Sequence, residues 1–496
     1  MRQIIDTNPQ IKISYIDISS VKINPRCRDG ITQLLIGLQH LYTNIGTREQ
    51  IFELLKEVPQ KNVNNGRPGM DLWQILVLAL LRVNCNIDWD MMHSLANNHD
   101  EIRQMMGITD WIDKPQFSLQ SLKDNVSLLK VETINKVNLI GVNAGQKLVK
   151  KKGEEKLFGR CDSFVVETNV HYPTDINLLL DAMRKVITLM HTLYEITGIA
   201  GTRKYKYKIR KLKNLFRKLQ NMKHSTSKDE KQKKRREELI KETYKEYLKL
   251  ANKYLSETHK ALFEIAKEYQ EAKNAIKKIK GFIAHAERQI DQIRRRCING
   301  EVIPHDEKVF SIFEEHTEWI SKGKAGVPVE FGVRVCIIED QYGFILGHRI
   351  MMNETDVAIT IPIVKDTIKD FPNFKGCSFD KGFWHPKNLE GLEKLLDFIV
   401  LPKKGRLSCA DKVREYSEDF LSARRKHSAV ESGINALENH GLDRCPDRGQ
   451  ANFERYISLS VLGRNFQKLG SILQAKELKR LRRKKRNGNC ELKIAA

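Results

Sequence analysis

The sequence lacks a cysteine framework. Nine cysteines, an odd number, are scattered singly from Cys27 to Cys490 over 496 residues, with no Cys-x-x-Cys pair. That excludes a disulfide scaffold and a zinc ribbon and predicts a reducing, cytoplasmic setting. Cys161, Cys336 and Cys377 fall in apolar, strand-like stretches and read as small buried hydrophobes. Long apolar runs are missing too. The longest, Ile75 to Leu81, is far short of the roughly 20 residues that a membrane-spanning helix needs. Met1-Arg2-Gln3-Ile4-Ile5-Asp6-Thr7 has no apolar stretch of the kind a secretory leader carries, so neither leader nor membrane attachment is expected. Pro and Gly are sparse, 13 and 29, and 41% of residues are hydrophobic, which excludes wholesale disorder and fibrous repeats.

Acid is the other shortage. Against 86 Lys+Arg stand 62 Asp+Glu, a formal net charge of +24. Such an excess points to a polyanion, nucleic acid ahead of a membrane surface, because each cation that neutralises a phosphate releases condensed counterions. The excess is unevenly spread. Residues 203–223 hold ten Lys or Arg and no acid, with Tyr205 and Tyr207 interleaved, and residues 476–486 hold eight basic residues in eleven. Both segments predict contacts with phosphate backbone, which position a duplex without reading its sequence.

Periodicity divides the chain. Residues 1–48 read as a strand/helix extension, and 49–150 as short helices joined by tight turns, a compact helical domain compatible with DNA recognition. Within it Asn65-Gly66-Arg67-Pro68-Gly69 is a turn before an apolar helix from Met70 to Val83, and Asp88 and Ser118 read as helix N-caps. Strand-like stretches at 157–166, 331–338, 343–351, up to Asp380, and 398–401 alternate with helices near 356–370 and 386–396. Residues 151–173 and 301–450 thus predict a mixed α/β core.

Between those pieces, residues 174–300 predict a helical insertion. Leu179, Met183, Val186, Met190 and Leu193 step by four and three, as do Tyr205, Ile209, Leu212, Phe216 and Leu219, and the rhythm returns from Ile240 to Ile293. Such steps form a coiled-coil seam. With 223–229 as a hairpin tip, 230–298 as one helix makes a rod on the order of 100 Å long at ~1.5 Å per residue. Residues 451–496 predict an amphipathic helix bearing Phe453, Tyr456, Val461, Phe466, Leu469 and Leu473, followed by the basic tail.

Three carboxylates, Asp162, Asp380 and Glu431, each stand within an apolar element. An unpaired charge there costs several kcal/mol and demands a partner, a metal or a function. Arg424, His427, Glu431 and Asn435, spaced for one helix face, predict a polar surface presented to a site. Carboxylates in this number suit two Mg²⁺ ions, which generate a hydroxide and stabilise the leaving oxygen in phosphoryl transfer.

The block Cys161-Asp162-Ser163-Phe164-Val165-Val166-Glu167-Thr168-Asn169-Val170-His171-Tyr172-Pro173-Thr174-Asp175 resembles the first-aspartate block of bacterial insertion-sequence transposases of the DDE class, in particular the group catalogued as ISNCY. Residues 310–320 with Lys322-Gly323-Lys324-Ala325-Gly326 are similar to the next block. Ser378-Phe379-Asp380-Lys381-Gly382-Phe383 is similar to the second-aspartate block, and residues 424–437 to the glutamate helix. Gly66-Arg67-Pro68 and Lys114-Pro115-Gln116-Phe117-Ser118-Leu119 resemble parts of the preceding helical domain. The likeness covers roughly residues 60–475 in ordered blocks. Related transposases place Tyr, Arg and Lys at −7, −4 and +7 from the glutamate; here those positions hold Arg424, His427 and Glu438.

The resemblance implies an RNase H-like catalytic core with an all-α N-terminal domain and a long antiparallel coiled-coil insertion. It makes Asp162, Asp380 and Glu431 the catalytic and metal-binding residues, with Mg²⁺ as two ions per site and Mn²⁺ as a substitute. Arg424, Arg425, His427, Asn435 and Lys381 are candidate phosphate contacts, and Trp319 and Trp384 candidate platforms for a flipped base. The implied partners are double-stranded DNA, both terminal inverted repeats and target, and at least a second copy of the chain. The rival expectations are an RNase H-like structure-specific nuclease without strand transfer, and a non-catalytic coiled-coil DNA-binding regulator.

Overall fold

The computed structural model describes residues 3–5, 16–58, 69–108, 116–150, 155–199, 204–223, 229–321 and 328–494. The expected turn at 65–68, Lys114-Pro115, most of the hairpin tip at 224–228 and the segment 322–326 lie outside them. The chain forms two compact units, Met1–Asn169 with Ile320–Ala496, which carries the sheet, and Val170–Trp319, which is helical. The expected boundaries differ. The amino-terminal helices and the carboxyl-terminal helix belong to the same unit as the sheet, and the helical unit is wider than 174–300. Among the described residues no helix is long and apolar enough to cross a membrane.

Among the described residues seven α-helices precede the sheet: α1 (Gly30–Thr43), α2 (Ile45–Lys56), α3 (Leu72–Asn84), α4 (Trp89–Asn98), α5 (Asp100–Met105), α6 (Leu119–Val126) and α7 (Val131–Val149). Their starts are local chemistry. Asp29, Asn44, Asp88 and Ser118 each accept a hydrogen bond from the backbone amide three residues on, satisfying a donor that the first turn leaves free. Helix α3 is buried on all sides, as a helix apolar all round must be. It is therefore the centre of the helical layer. Its one cation, Arg82, is 3% exposed, donates to both carboxylate oxygens of Asp447 at 3.0 and 2.7 Å, and lies 4.1 Å from the Trp89 ring.

The last helix of the chain, α17 (Gln450–Ile494), packs against α1, α3 and α7. Its contact with α1 is made by backbone. A Cβ on Gly470 would fall 1.7 Å from the Gln33 carbonyl oxygen, and one on Gly37 would fall 2.4 Å from that of Phe466. Only glycine permits so close a crossing. Phe453, Tyr456, Ile457, Val461, Leu462, Phe466 and Leu469 bury the same helix in the core, and its basic stretch continues the helix, with Lys476, Lys479, Arg480 and Arg482 to Lys485 exposed.

The sheet is mixed and open, with seven strands: β1 (Leu157–Thr168), β2 (Glu318–Ser321), β3 (Val329–Asp340), β4 (Ile345–Met351), β5 (Phe374–Phe379), β6 (Phe398–Val400) and β7 (Arg444–Cys445). Its order is β2-β3-β1-β5-β6, with β4 also on β3 and β7 on β1. Strands β4, β3 and β1 are antiparallel neighbours, whereas β1, β5 and β6 run parallel. Parallel neighbours need crossovers. These are α12 (Asp356–Asp370), which leads into β5, and α13 (Pro386–Glu393), which leads into β6. After β6 follow α14 (Cys409–Glu415), α15 (Glu418–His427) and α16 (Ala429–Leu437). Cys161, Cys336 and Cys377 are buried, as expected.

The helical unit comprises α8 (Asp175–Thr197), α9 (Tyr205–Lys223), α10 (Glu230–Glu268) and α11 (Lys273–Ile293). Helix α8 packs on α9 and α11, and α10 packs on the same two, a closed ring of neighbours. Contacts along the ring fix the directions. His191, late in α8, stacks on Tyr205 at the start of α9 with centroids 3.9 Å apart, Lys208 pairs with Glu257 at 2.6 Å, and Asp175 pairs with Arg296 at 3.2 Å. This is an up-down-up-down four-helix bundle. The expected single rod over 230–298 is therefore not formed. Gly198, with φ +70°, ends α8, and the chain turns back through a 3₁₀ turn at Gln270–Ala272. Steps of three and four specify a buried stripe, and Leu179, Met183, Leu212, Leu219, Ala251 and Ile283 are indeed buried, but they do not specify where a helix stops. No Gly or Pro marks residues 268–274.

Candidate active site

The register of β1 and β5 positions two of the three acids. Their last paired residues are Cys161 and Phe379, so Asp162, midway along β1, and Asp380, just past the end of β5, come next. Asp380 precedes the short turn Lys381–Phe383, its backbone carbonyl accepting from the Phe383 amide and its side chain making no cap bond. Glu431 lies in the first turn of α16, which packs on β1. Gly433 brings the same helix against Glu339 of β3, since a Cβ there would meet its Oε1 at 2.7 Å.

Only one of the acids is under pressure from burial. Asp162 is half-buried, whereas Asp380 and Glu431 are exposed. The expectation that all three sit inside apolar elements is corrected here: Asp380 follows its strand, and Glu431 occupies the outer side of a helix start. Burial pushes the Asp162 carboxyl up to about 6, the charges of Asp380, Asp356 and Glu431 add to the rise, and the Ser163 amide, which donates to Oδ1 at 2.8 Å, opposes it.

Asp356 is a fourth carboxylate that the sequence reading treated only as the start of a helix. The Ser163 hydroxyl donates to its Oδ1 at 2.6 Å, and Arg334 stands 3.7 Å from its Oδ2. A Cβ on Gly382 would lie 3.4 Å from Asp356 Oδ2 and 3.9 Å from Asp380 Oδ2, so these two carboxylates flank one gap of methyl size. An acid in a helix's first turn is ordinary pairing with the helix dipole, which is why the sequence gave no separate signal.

His427 joins the group. Its Nδ1 is 2.9 Å from the Ser378 hydroxyl, one residue before the end of β5. Burial lowers its pKa, while Asp380 and Glu431 act in the opposite sense. The single polar helix face expected for Arg424, His427, Glu431 and Asn435 is not formed, because α15 ends at His427 and α16 begins at Ala429. Arg424, Arg425, Lys381 and Asn435 are exposed. Trp384 is half-buried with the Arg414 guanidinium 5.5 Å from its ring centre. Trp319 is 41% exposed and packs beside His305 and Phe310 in the helical unit.

Carboxylate oxygens are the donors a hard divalent cation takes. Asp162, Asp356, Asp380 and Glu431 fit that chemistry, but they do not close on a point. Among the described residues no three His, Cys, Asp or Glu side chains are grouped as ligands of one ion. A cavity of about 530 Å³ lies elsewhere along β1 and β5, lined by Phe158, Arg160, Ser378, Phe398 and Lys426 among others, and none of the four acids lines it. Among protein-family models, curated proteins and solved structures, nothing matches the chain.

Proposed function

We propose that the chain is a DNA transposase of the DDE class, built on an RNase H-like core, that cuts phosphodiesters at the ends of its element and joins the freed 3′-OH to target DNA. The observation that carries the reading is the neighbourhood of three acids: Asp162 midway along β1, Asp380 just past the end of the adjacent parallel strand β5, and Glu431 on the helix packed against β1. The strand order supports it as well, with antiparallel strands continued by parallel ones through helical crossovers. Burial and the neighbouring acids push the Asp162 carboxyl up to about 6, a crowding of negative charge that a cation held by these acids would relieve. Asp380 and Glu431, both at the surface, have room to turn toward Asp162. Bound there, Mg²⁺ or Mn²⁺ supplies positive charge for the entering and leaving oxygens. Lys381, Arg424 and Arg425 are exposed cations beside these acids in the chain and hold phosphate in this reading. Two element ends must be held together, so the active form is at least a dimer.

The test uses duplexes made from DNA that flanks the coding region. Asp162→Asn, Asp380→Asn and Glu431→Gln should each lower Mg²⁺-dependent cleavage by at least ~10²-fold, the loss typical when one charge-stabilising group is removed, while leaving duplex binding intact. Full cleavage by any one variant overturns the assignment. Joining of a pre-cut 3′-OH end to plasmid separates a transposase from a nuclease, and binding without nicking under any divalent ion leaves only a regulator.

A further inference from the structure

We infer that helix α9 is a docking face for the phosphate backbone of duplex DNA. One side of α9 is committed to the bundle, with Leu212 and Leu219 fully buried and Ile209 and Phe216 partly so. On the opposite side Lys206, Arg210, Lys213 and Arg217 follow one another at steps of four, three and four, a single stripe along the helix. Lys211 and Lys218 flank it, and all six are exposed.

Two features separate this face from an ordinary solvated one. The other bundle helices mix signs, with Asp181 and Glu195 on α8, Glu257 on α10 and Glu287 on α11, whereas α9 has no acid at all. The pairing is selective too. Lys208, which turns toward α10, pairs with Glu257 at 2.6 Å, while among the described residues no carboxylate pairs with any of the six outward cations. Like charges at helix spacing destabilise a helix by ~0.2–0.5 kcal/mol per pair, and no acid on α9 offsets that. A ligand of opposite sign does.

Its form follows from the spacing. At ~1.5 Å per residue the stripe from Lys206 to Arg217 spans about 16 Å. A duplex strand presents one phosphate per ~3.4 Å of axis, so roughly five phosphates fall within reach. Tyr207, 43% exposed, lies 5.6 Å from the Arg210 guanidinium and 5.0 Å from the Lys211 ammonium, measured to its ring centre. The ring steadies these two cations on the outer face. Contacts from such cations to phosphate position a duplex without reading its sequence. The choice of DNA over other polyanions rests on the function proposed above; the face itself does not.

The experiment measures binding of the full-length chain to a duplex of unrelated sequence across a salt series. Replacing Lys206, Arg210, Lys211, Lys213, Arg217 and Lys218 together by Gln should make the slope of log K against log salt shallower by ~0.9 per lost contact, so about 3–5 in total. The double variant Arg210→Gln/Arg217→Gln should lose about 2, which keeps the test open if the sixfold variant fails to fold. Lys→Arg at the four lysines should keep the wild-type slope. An unchanged slope in a folded glutamine variant overturns the inference while leaving the transposase reading intact. Wild-type protein that binds no duplex overturns both. Loss of binding to phosphatidylserine vesicles, with DNA binding unchanged, assigns the face to a membrane surface and overturns it as well.

Discussion

Arg82 and Arg210 have the same side chain and opposite fates. Arg82, in the sheet-bearing unit, is buried against Trp89 and Tyr456 and clamped by Asp447, a residue 365 positions away. Arg210, in the helical unit, is exposed, with the Tyr207 ring beside it. In the first unit charge is used to tether distant parts of the chain. In the second it is left at the surface, where a ligand can use it. The lesson is that net charge alone carries little information about partners until buried and paired cations are subtracted.

The largest effect should come from breaking the buried tether. Arg82→Ala leaves Asp447 without its partner and should lower unfolding free energy by ~3–5 kcal/mol in chemical denaturation, as expected when one half of a buried pair is removed. A loss below ~1 kcal/mol would erase the contrast between the units.

A smaller effect should appear with pH. His348, within β4, is half-buried, stands 3.1 Å from the Ser458 hydroxyl, and has its pKa pushed down to about 4. Burial is the cause. Because the folded value lies below the unfolded ~6.5, the unfolded chain binds the proton first. The stability this group contributes is therefore complete above pH ~6.5 and declines as pH falls toward ~4, by up to ~1.4 kcal/mol per unit. Denaturation midpoints measured between neutral and acid pH should show this slope, and His348→Asn should flatten it.

The smallest effect should come from the helical unit. Lys208 and Glu257 form a pair whose side chains are 20% and 43% exposed. Glu257→Gln should change stability by less than ~1 kcal/mol, since exposed pairs are worth little. A loss as large as that of Arg82→Ala would mean that charge is structural in both units.

Much of the architecture was legible in the sequence because it is set locally. The helix Asp356–Asp370, the caps at Asp88 and Ser118, and the strands around Asp162 and Asp380 follow from alternation, helical spacing and capping chemistry. The helix breaks at Tyr269 and Ser428 were not legible, because neither carries the Gly or Pro that usually ends a helix. Asp356 was missed for another reason. Its place beside Ser163 depends on where α12 begins relative to β1, and no local pattern encodes that distance. The acids were found by residue type, but the difference in burial between Asp162 and the other two needed the sheet.

The pairing of Asp175 with Arg296 bears on the order of folding. Strands β1 and β3 are neighbours in the sheet, yet the whole helical unit lies between them in the chain, with Glu167 opposite Gly332. Closing so long a loop from an unfolded chain carries an entropy penalty that grows with the logarithm of its length. The bundle is built from near-neighbour helices, which form quickly. Once it has formed, its two ends are held within one ion pair of each other at 3.2 Å. Only the segments from Glu167 to Asp175 and from Arg296 to Gly332 then remain to be closed, a saving on the order of 1 kcal/mol for the β1–β3 pairing. The insertion thus acts as a kinetic clasp for the very strand that bears Asp162.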